Sequence, residues 1–282
     1  MKKTHLLVAA ALPCTLLLTG CFDKASQSNQ AVDASGSIVK GAAAKKSETQ
    51  LVLKDDKRTL LEVADLDQIH DSASKIIATH LEPMLVDFTQ HTVTNSVSAI
   101  SQYQQALQQD KVTTIELSST DNPAGLTHKP SQQIIYRVHN SDVVILPIEG
   151  QGYLSYLKGF VALHLATGQF AKVRFYQQGE TPALGGHIMT DRVWLQQFVG
   201  KLALKDSQPA LKIVQPTRAE NNSSESKSTD TSTANPNQLD EYTIDGISGA
   251  TNTSQRVEHI INYWLGDDGY GPMLNQLTAT QS

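Results

Sequence analysis

Four strand-like runs stand close together between residues 134 and 176, and they constrain the fold more than any other feature of the chain. Ile134-Ile135-Tyr136-Arg137-Val138 and Val143-Val144-Ile145-Leu146 flank a His-Asn-Ser-Asp turn and predict a hairpin. Lys158 to Leu165 and Phe170 to Tyr176 predict two more strands, joined by Ala166-Thr167-Gly168. Ahead of these runs the apolar spacing is helical. Leu66, Ile69, Ala73, Ile76, Ile77 and His80 predict one apolar stripe on a helix over about 65–81, with His80 an ordinary residue at its end. Residues 98–109 favour a second, more polar helix, and Leu51-Val52-Leu53 a short strand. A helix near Arg192 to Val199 and a strand at Ala210 to Val214 come after the four runs. Helices first, a mainly antiparallel sheet next and a helix at the end is an α+β order, not a βαβ repeat.

Two stretches with almost no large apolar residues bound this pattern. Residues 21–50 are rich in Ser, Ala, Gln, Gly and Lys and read as a flexible tether. Residues 216–239 are low-complexity and read as a disordered insertion within a domain, because the segment beyond them is too short to fold alone. The expected organisation is a signal peptide over 1–20, the tether, a helical N-terminal subdomain over 51–130 and a second domain over 131–282.

The N-terminus reads as an address. Lys2 and Lys3 precede an apolar run from Leu6 to Leu18 that is short for a membrane span. It ends Leu18-Thr19-Gly20-Cys21, which resembles the bacterial lipobox and implies cleavage before Cys21 and acylation of its thiol. The chain has two cysteines, and the other, Cys14, lies in the segment that would be removed. The mature protein would then have no disulfide, cysteine-zinc site or iron–sulfur cluster, so redox chemistry needs another cofactor. Loss of Lys2 and Lys3 takes the formal net charge from −5 to −7. With no dense basic cluster, nucleic acid is excluded as the main partner.

The chemistry-bearing segment comes after the insertion. Thr243-Ile244-Asp245-Gly246-Ile247 leads into Ser248-Gly249-Ala250-Thr251, and Val257, Ile260, Ile261, Trp264 and Leu265 then recur at helical spacing up to Gly266. A strand, a turn of small residues and a helix start are thus expected in succession. The first N–H groups of a helix lack intrahelical partners and suit a phosphate. Hydroxyls from Ser248, Thr251 and Thr253 can cap the helix, bind a phosphate or become esterified to one. Local physics leaves these alternatives open.

Asp245-Gly246-Ile247-Ser248-Gly249-Ala250-Thr251 resembles the flavinylation motif of the FMN-binding domain family. The resemblance implies that a flavin transferase moves the FMN moiety of FAD onto a threonine hydroxyl as a phosphoester, here Thr251, with Thr253 the runner-up. Three further segments resemble the C subunit of sodium-translocating NADH:quinone reductases: Gly150-Gln151-Gly152-Tyr153, the stretch from Arg174 to Gly186, and Asn262 to Pro272. By the same resemblance Glu180, Thr181, Leu184 and Gly185 are candidate cofactor contacts, beside Ser248, Gly249 and Ala250. Trp264 and Tyr270 could stack on a flavin, but the helical spacing of Trp264 favours the core.

The chain departs from that family at several points. Its members normally begin with a transmembrane helix, where this chain has the Cys21 motif; Ala183 and His187 replace the usual glycine and acidic residue. Phe22 after the cysteine implies export to the outer membrane, whereas service in the sodium pump implies the inner membrane. The resemblance implies a covalent FMN electron carrier working with the membrane subunits of the reductase. Two alternatives are a stand-alone lipid-anchored flavoprotein on the periplasmic side and a non-redox envelope lipoprotein. No nucleophile–base–orienter constellation suggests hydrolysis.

Overall fold

The computed structural model describes residues 56–118, 122–215 and 240–279. The Cys21 site, the 21–50 tether, the Leu51-Val52-Leu53 strand and the 216–239 insertion lie outside the described residues. All described residues belong to the unit Lys46–Ser282.

The helix expected over 65–81 forms only in its second half, and a helix the sequence did not predict precedes it, with a break between the two. Helix α1 covers residues 56–63 and α2 covers Ala73–His80. The break is a Schellman closure: Leu66 N–H bonds Leu61 C=O (2.8 Å), Asp65 N–H bonds Glu62 C=O (3.3 Å), and Asp65 stands at φ +58°. Leu66 and Ile69 therefore lie in the connection, although they keep helical spacing with Ile76.

Helix α2 runs straight into β1 (Leu81–Asp87), which turns back into β2 (Thr92–Thr94). Helix α3 comes next as Val97–Gln108, close to its expected bounds. Then come β3 (Thr114–Glu116), β4 (His128–Pro130), β5 (Gln132–Val138), β6 (Val143–Gln151), β7 (Tyr156–His164) and β8 (Phe170–Gln177). The expected hairpin is β5–β6. Six strands form one sheet in the order β2-β1-β5-β6-β7-β8, every neighbouring pair antiparallel. The expected α+β arrangement is borne out. Residues 51–130, expected to be helical, also supply β1 to the interior of this sheet.

After β8 come two short helices, α4 (His187–Thr190) and α5 (Arg192–Gln196). Strands β9 (Leu204–Lys205), β10 (Gln208–Pro209), β11 (Lys212–Val214) and β12 (Thr243–Asp245) are next, and β11 and β12 pair in parallel. The chain closes with α6 (Thr251–Leu265) and α7 (Gly271–Ala279). Alternation along the strands gives the sheet two covered faces. Val144, Leu146 and Ile148 pack with Trp194, Phe198, Val257, Ile261 and Trp264 on one side. On the other, Ile145 and Phe160 meet Leu60 and Val63 of α1, while Leu85 and Ile134 meet Ile100 and Tyr103 of α3.

Candidate functional site

Strand β12 delivers the chain to the small-residue turn, and the backbone on the way is held at every step. Asp245 N–H donates to Gln197 Oε1 (2.9 Å), and Asp245 C=O accepts from Trp194 Nε1 (2.8 Å). Gly246 N–H bonds Val214 C=O (2.7 Å), and Ile247 N–H bonds Ser254 Oγ (3.0 Å). Gly249 then turns at φ +76°, a conformation that costs glycine little. Helix α6 starts two residues later.

The flanking residue of α6 is Ala250, and no side chain caps the helix. The hydroxyls that local physics offers as caps are used differently. Thr253 is buried, and its hydroxyl donates to Glu180 Oε2 at 2.8 Å. Ser254 is buried and reaches back to Ile247. Thr251 is half-buried, and its hydroxyl has no protein partner among the described residues.

The 180–185 loop forms the opposite wall. Glu180 is 4 % exposed, yet both carboxyl oxygens are occupied. Oε1 accepts from Leu154 N–H (2.9 Å), Ser155 N–H (3.0 Å) and Ser155 Oγ (3.0 Å), and Oε2 accepts from Thr253. Ser155 Oγ in turn accepts from Gly179 N–H at 2.7 Å. Two glycines make this closeness possible. A Cβ on Gly152 would lie 2.6 Å from Glu180 Oε1, and one on Gly185 would collide with Thr253 Oγ1.

Between the walls is a cleft of about 280 Å³, lined by Tyr153, Glu180, Thr181, Leu184, Gly185, Gly249, Ala250, Thr251, Asn252 and Thr253. Eight of the sequence-predicted residues thus meet in one place. Ser248 is exposed and does not line the cleft. A second depression of about 220 Å³, bordered by Val214, Gln215 and Ile247, lies on the other side of Thr251. Thr251 is the residue the two share. At the mouth, Leu184 (43 % exposed), Tyr153 (56 %) and the neighbouring Leu154 (58 %) leave apolar surface open.

Trp264 and Tyr270 belong to the core, as the helical spacing of Trp264 predicts. Trp264 Nε1 donates to Glu149 C=O (2.7 Å), Tyr270 Oη donates to Pro147 C=O (2.8 Å), and the two rings lie 5.4 Å apart. Sequence reasoning misses Trp194, Gln197, Ser155 and Ser254. Ser155 and Ser254 lie close to singled-out residues, Tyr153 and Thr253, and Trp194 and Gln197 lie in an expected helix whose role in the site nothing in the sequence marks.

Comparison with known proteins agrees with this geometry. The FMN-binding domain family matches residues 152–266, which span both walls of the cleft. The C subunit of the Na(+)-translocating NADH-quinone reductase of Vibrio alginolyticus is 32% identical over 78% of this chain and 80% of its own. The subunit of the same name from Yersinia pestis is 32% identical over 85% of this chain and 86% of its own. The crystal structure of Shewanella oneidensis NqrC has the same fold, with a TM-score of 0.62 at 23% identity, covering 84% of this chain and 99% of that one. The identity and coverage of these relatives establish that the chain belongs to the C-subunit family of Na(+)-translocating NADH-quinone reductases.

Proposed function

We propose that this protein is a flavin electron carrier that holds FMN covalently, through a phosphoester on Thr251 Oγ, and works with the other subunits of a sodium-translocating NADH:quinone reductase. One observation carries the reading. An uncapped helix start, a turn of small residues and a threonine hydroxyl without a protein partner converge on one cleft. Among the described residues no Lys or Arg lines that cleft, so the N–H groups of the first turn of α6 are what would meet a phosphate. Leu184 and Tyr153 supply apolar surface for a flavin ring, and Thr181, Gly185, Gly249 and Ala250 let the group come close to backbone. FMN supplies the electron-transfer chemistry, and the protein's part is to bind and orient it. Ser248 is exposed on the turn, which suits contact with a flavin transferase during attachment.

The test is flavin fluorescence of the protein on a denaturing gel after co-expression with a flavin transferase. A fluorescent band is expected from the native sequence and none from Thr251→Ala. A band that persists in Thr251→Ala overturns the choice of acceptor; no band from the native sequence overturns covalent FMN.

The Leu18-Thr19-Gly20-Cys21 sequence favours a second reading, a lipid-anchored periplasmic flavoprotein serving another electron chain, with Phe22 directing it to the outer membrane. No helix among the described residues is long and apolar enough to cross a membrane. Purification of tagged protein from native membranes separates the two. Recovery of pump subunits supports the first, and their absence the second.

A further inference from the structure

Thr251 and Thr253 are chemically equal and two residues apart, so something in the fold must distinguish them if only one is modified. We propose that the buried Glu180 carboxylate is the specificity-determining group that reserves Thr251 for modification by withholding Thr253. This rests on the phosphoester reading.

Both threonines border the cleft, but two residues along a helix turn the side chain by roughly 200°, so their hydroxyls point in different directions. Thr253 is 3 % exposed, and its hydroxyl donates a hydrogen bond to Glu180 Oε2 at 2.8 Å. The backbone at Gly185 closes over Thr253 Oγ1, so tightly that even a Cβ there would collide with it. Glu180 cannot swing aside, because Leu154 N–H, Ser155 N–H and Ser155 Oγ hold its other oxygen at 2.9–3.0 Å. All these bonds use the carboxyl as acceptor.

Flavin transfer joins a threonine Oγ to the FMN phosphorus of FAD. It breaks the pyrophosphate P–O bond, releases AMP and gives up the hydroxyl proton. At Thr253 that reaction would remove the donor Glu180 uses and set a phosphodiester anion against a buried carboxylate. At Thr251 it disturbs no hydrogen bond among the described residues and meets the unpaired backbone N–H groups of the helix start instead. Glu180 is thus a positioning residue. Its carboxylate guards one hydroxyl and, through Ser155 and Gly179, fixes the loop that frames the other.

The test has a flavin-dependent arm and a flavin-free arm, both on the full chain. In the first, the modified residue is mapped by mass spectrometry after co-expression with the transferase. Native protein is expected to carry FMN at Thr251 only and Thr251→Ala none, while Thr251→Ala/Glu180→Ala gains it at Thr253. Modification of Thr253 in Thr251→Ala alone, or none in a folded double variant, overturns the selector. In the second arm, Thr253→Cys and Thr251→Cys are treated with iodoacetamide and scored on the peptide containing each position. Cys14 and Cys21 are the natural cysteines, so the signal is specific. Labelling at position 251 is expected to be at least tenfold faster than at 253, and Glu180→Gln to shrink that ratio. Equal rates with Glu180 present overturn the proposal. Native protein without FMN but with the labelling difference sinks the phosphoester reading and leaves the protection of Thr253 standing.

Discussion

Thr251, Thr253 and Ser254 lie within one turn of helix, yet their hydroxyls meet an open cleft, a carboxylate and a backbone amide respectively. Their burial is the difference, and burial depends on which loops pack against α6. Resemblance to a known motif singles out Thr251, while local physics alone leaves Ser248, Thr251 and Thr253 open. Glu180 is legible in sequence as part of the site but not as its keystone. Its four partners come from residues 154, 155 and 253, and the chain order does not say that these meet. The tightness around it makes Gly185 sensitive. Gly185→Ala should cost about 1–3 kcal/mol by overpacking Thr253 and Glu180, read as a lower urea midpoint. The same variant should give a weaker fluorescent band on the denaturing gel. An unchanged midpoint would show that the loop moves away freely.

The elements are legible where pattern and environment agree. Strands β5 to β8 and helix α6 have one strong period each, and the sheet and its covering layer give that period a reason. The stretch from α1 to β1 defeats sequence reading because two signals compete. Leu66 and Ile69 keep the spacing of α2, but the Schellman closure at Asp65 ends α1 and helix resumes only at Ala73. Strand β1 contains Pro83, which argues against an interior strand. The register resolves this: β2 covers only Leu85–Asp87, so Pro83 has a partner on the β5 side alone. Helix α5 shows how a short element serves the site. Asp191 Oδ1 accepts from Trp194 N–H (2.9 Å) at its start, and Trp194 Nε1 then anchors the carbonyl of Asp245. Trp194→Phe keeps much of the packing but strips that carbonyl of its donor. It should cost about 1–3 kcal/mol in urea denaturation. A variant as stable as the native protein would show that Asp245 is held by Gln197 alone.

Across the whole molecule, the two faces of the sheet have different duties. The α6 face carries the cleft, and the α1 face is fastened by charge. Glu62 of α1 bonds Arg174 Nε of β8 at 2.6 Å and also meets Arg192. Burial favours the neutral form of Glu62, but the Arg192 and Arg174 side chains outweigh it and hold its carboxyl below the ordinary value of 4.5. A carboxyl lowered on folding contributes stability above its unfolded pKa and loses it as pH falls through the folded one. Acidification should therefore lower the Tm of the native protein more than that of Glu62→Gln. At neutral pH the substitution should cost about 1 kcal/mol, since Arg192 is largely solvated and screening weakens its share. Parallel Tm-against-pH curves for the two proteins would rule this coupling out. The cleft itself has a consequence for the order of events in the cell. Its walls meet through residues 73 positions apart, and the second wall is a helix made after the first. The threonine lies on the wall made later, so it can be present in a chain whose two walls have not yet packed into a cavity. Any enzyme that reads the cavity therefore works as an inspector of finished goods, stamping chains that have completed folding and passing over those that have not.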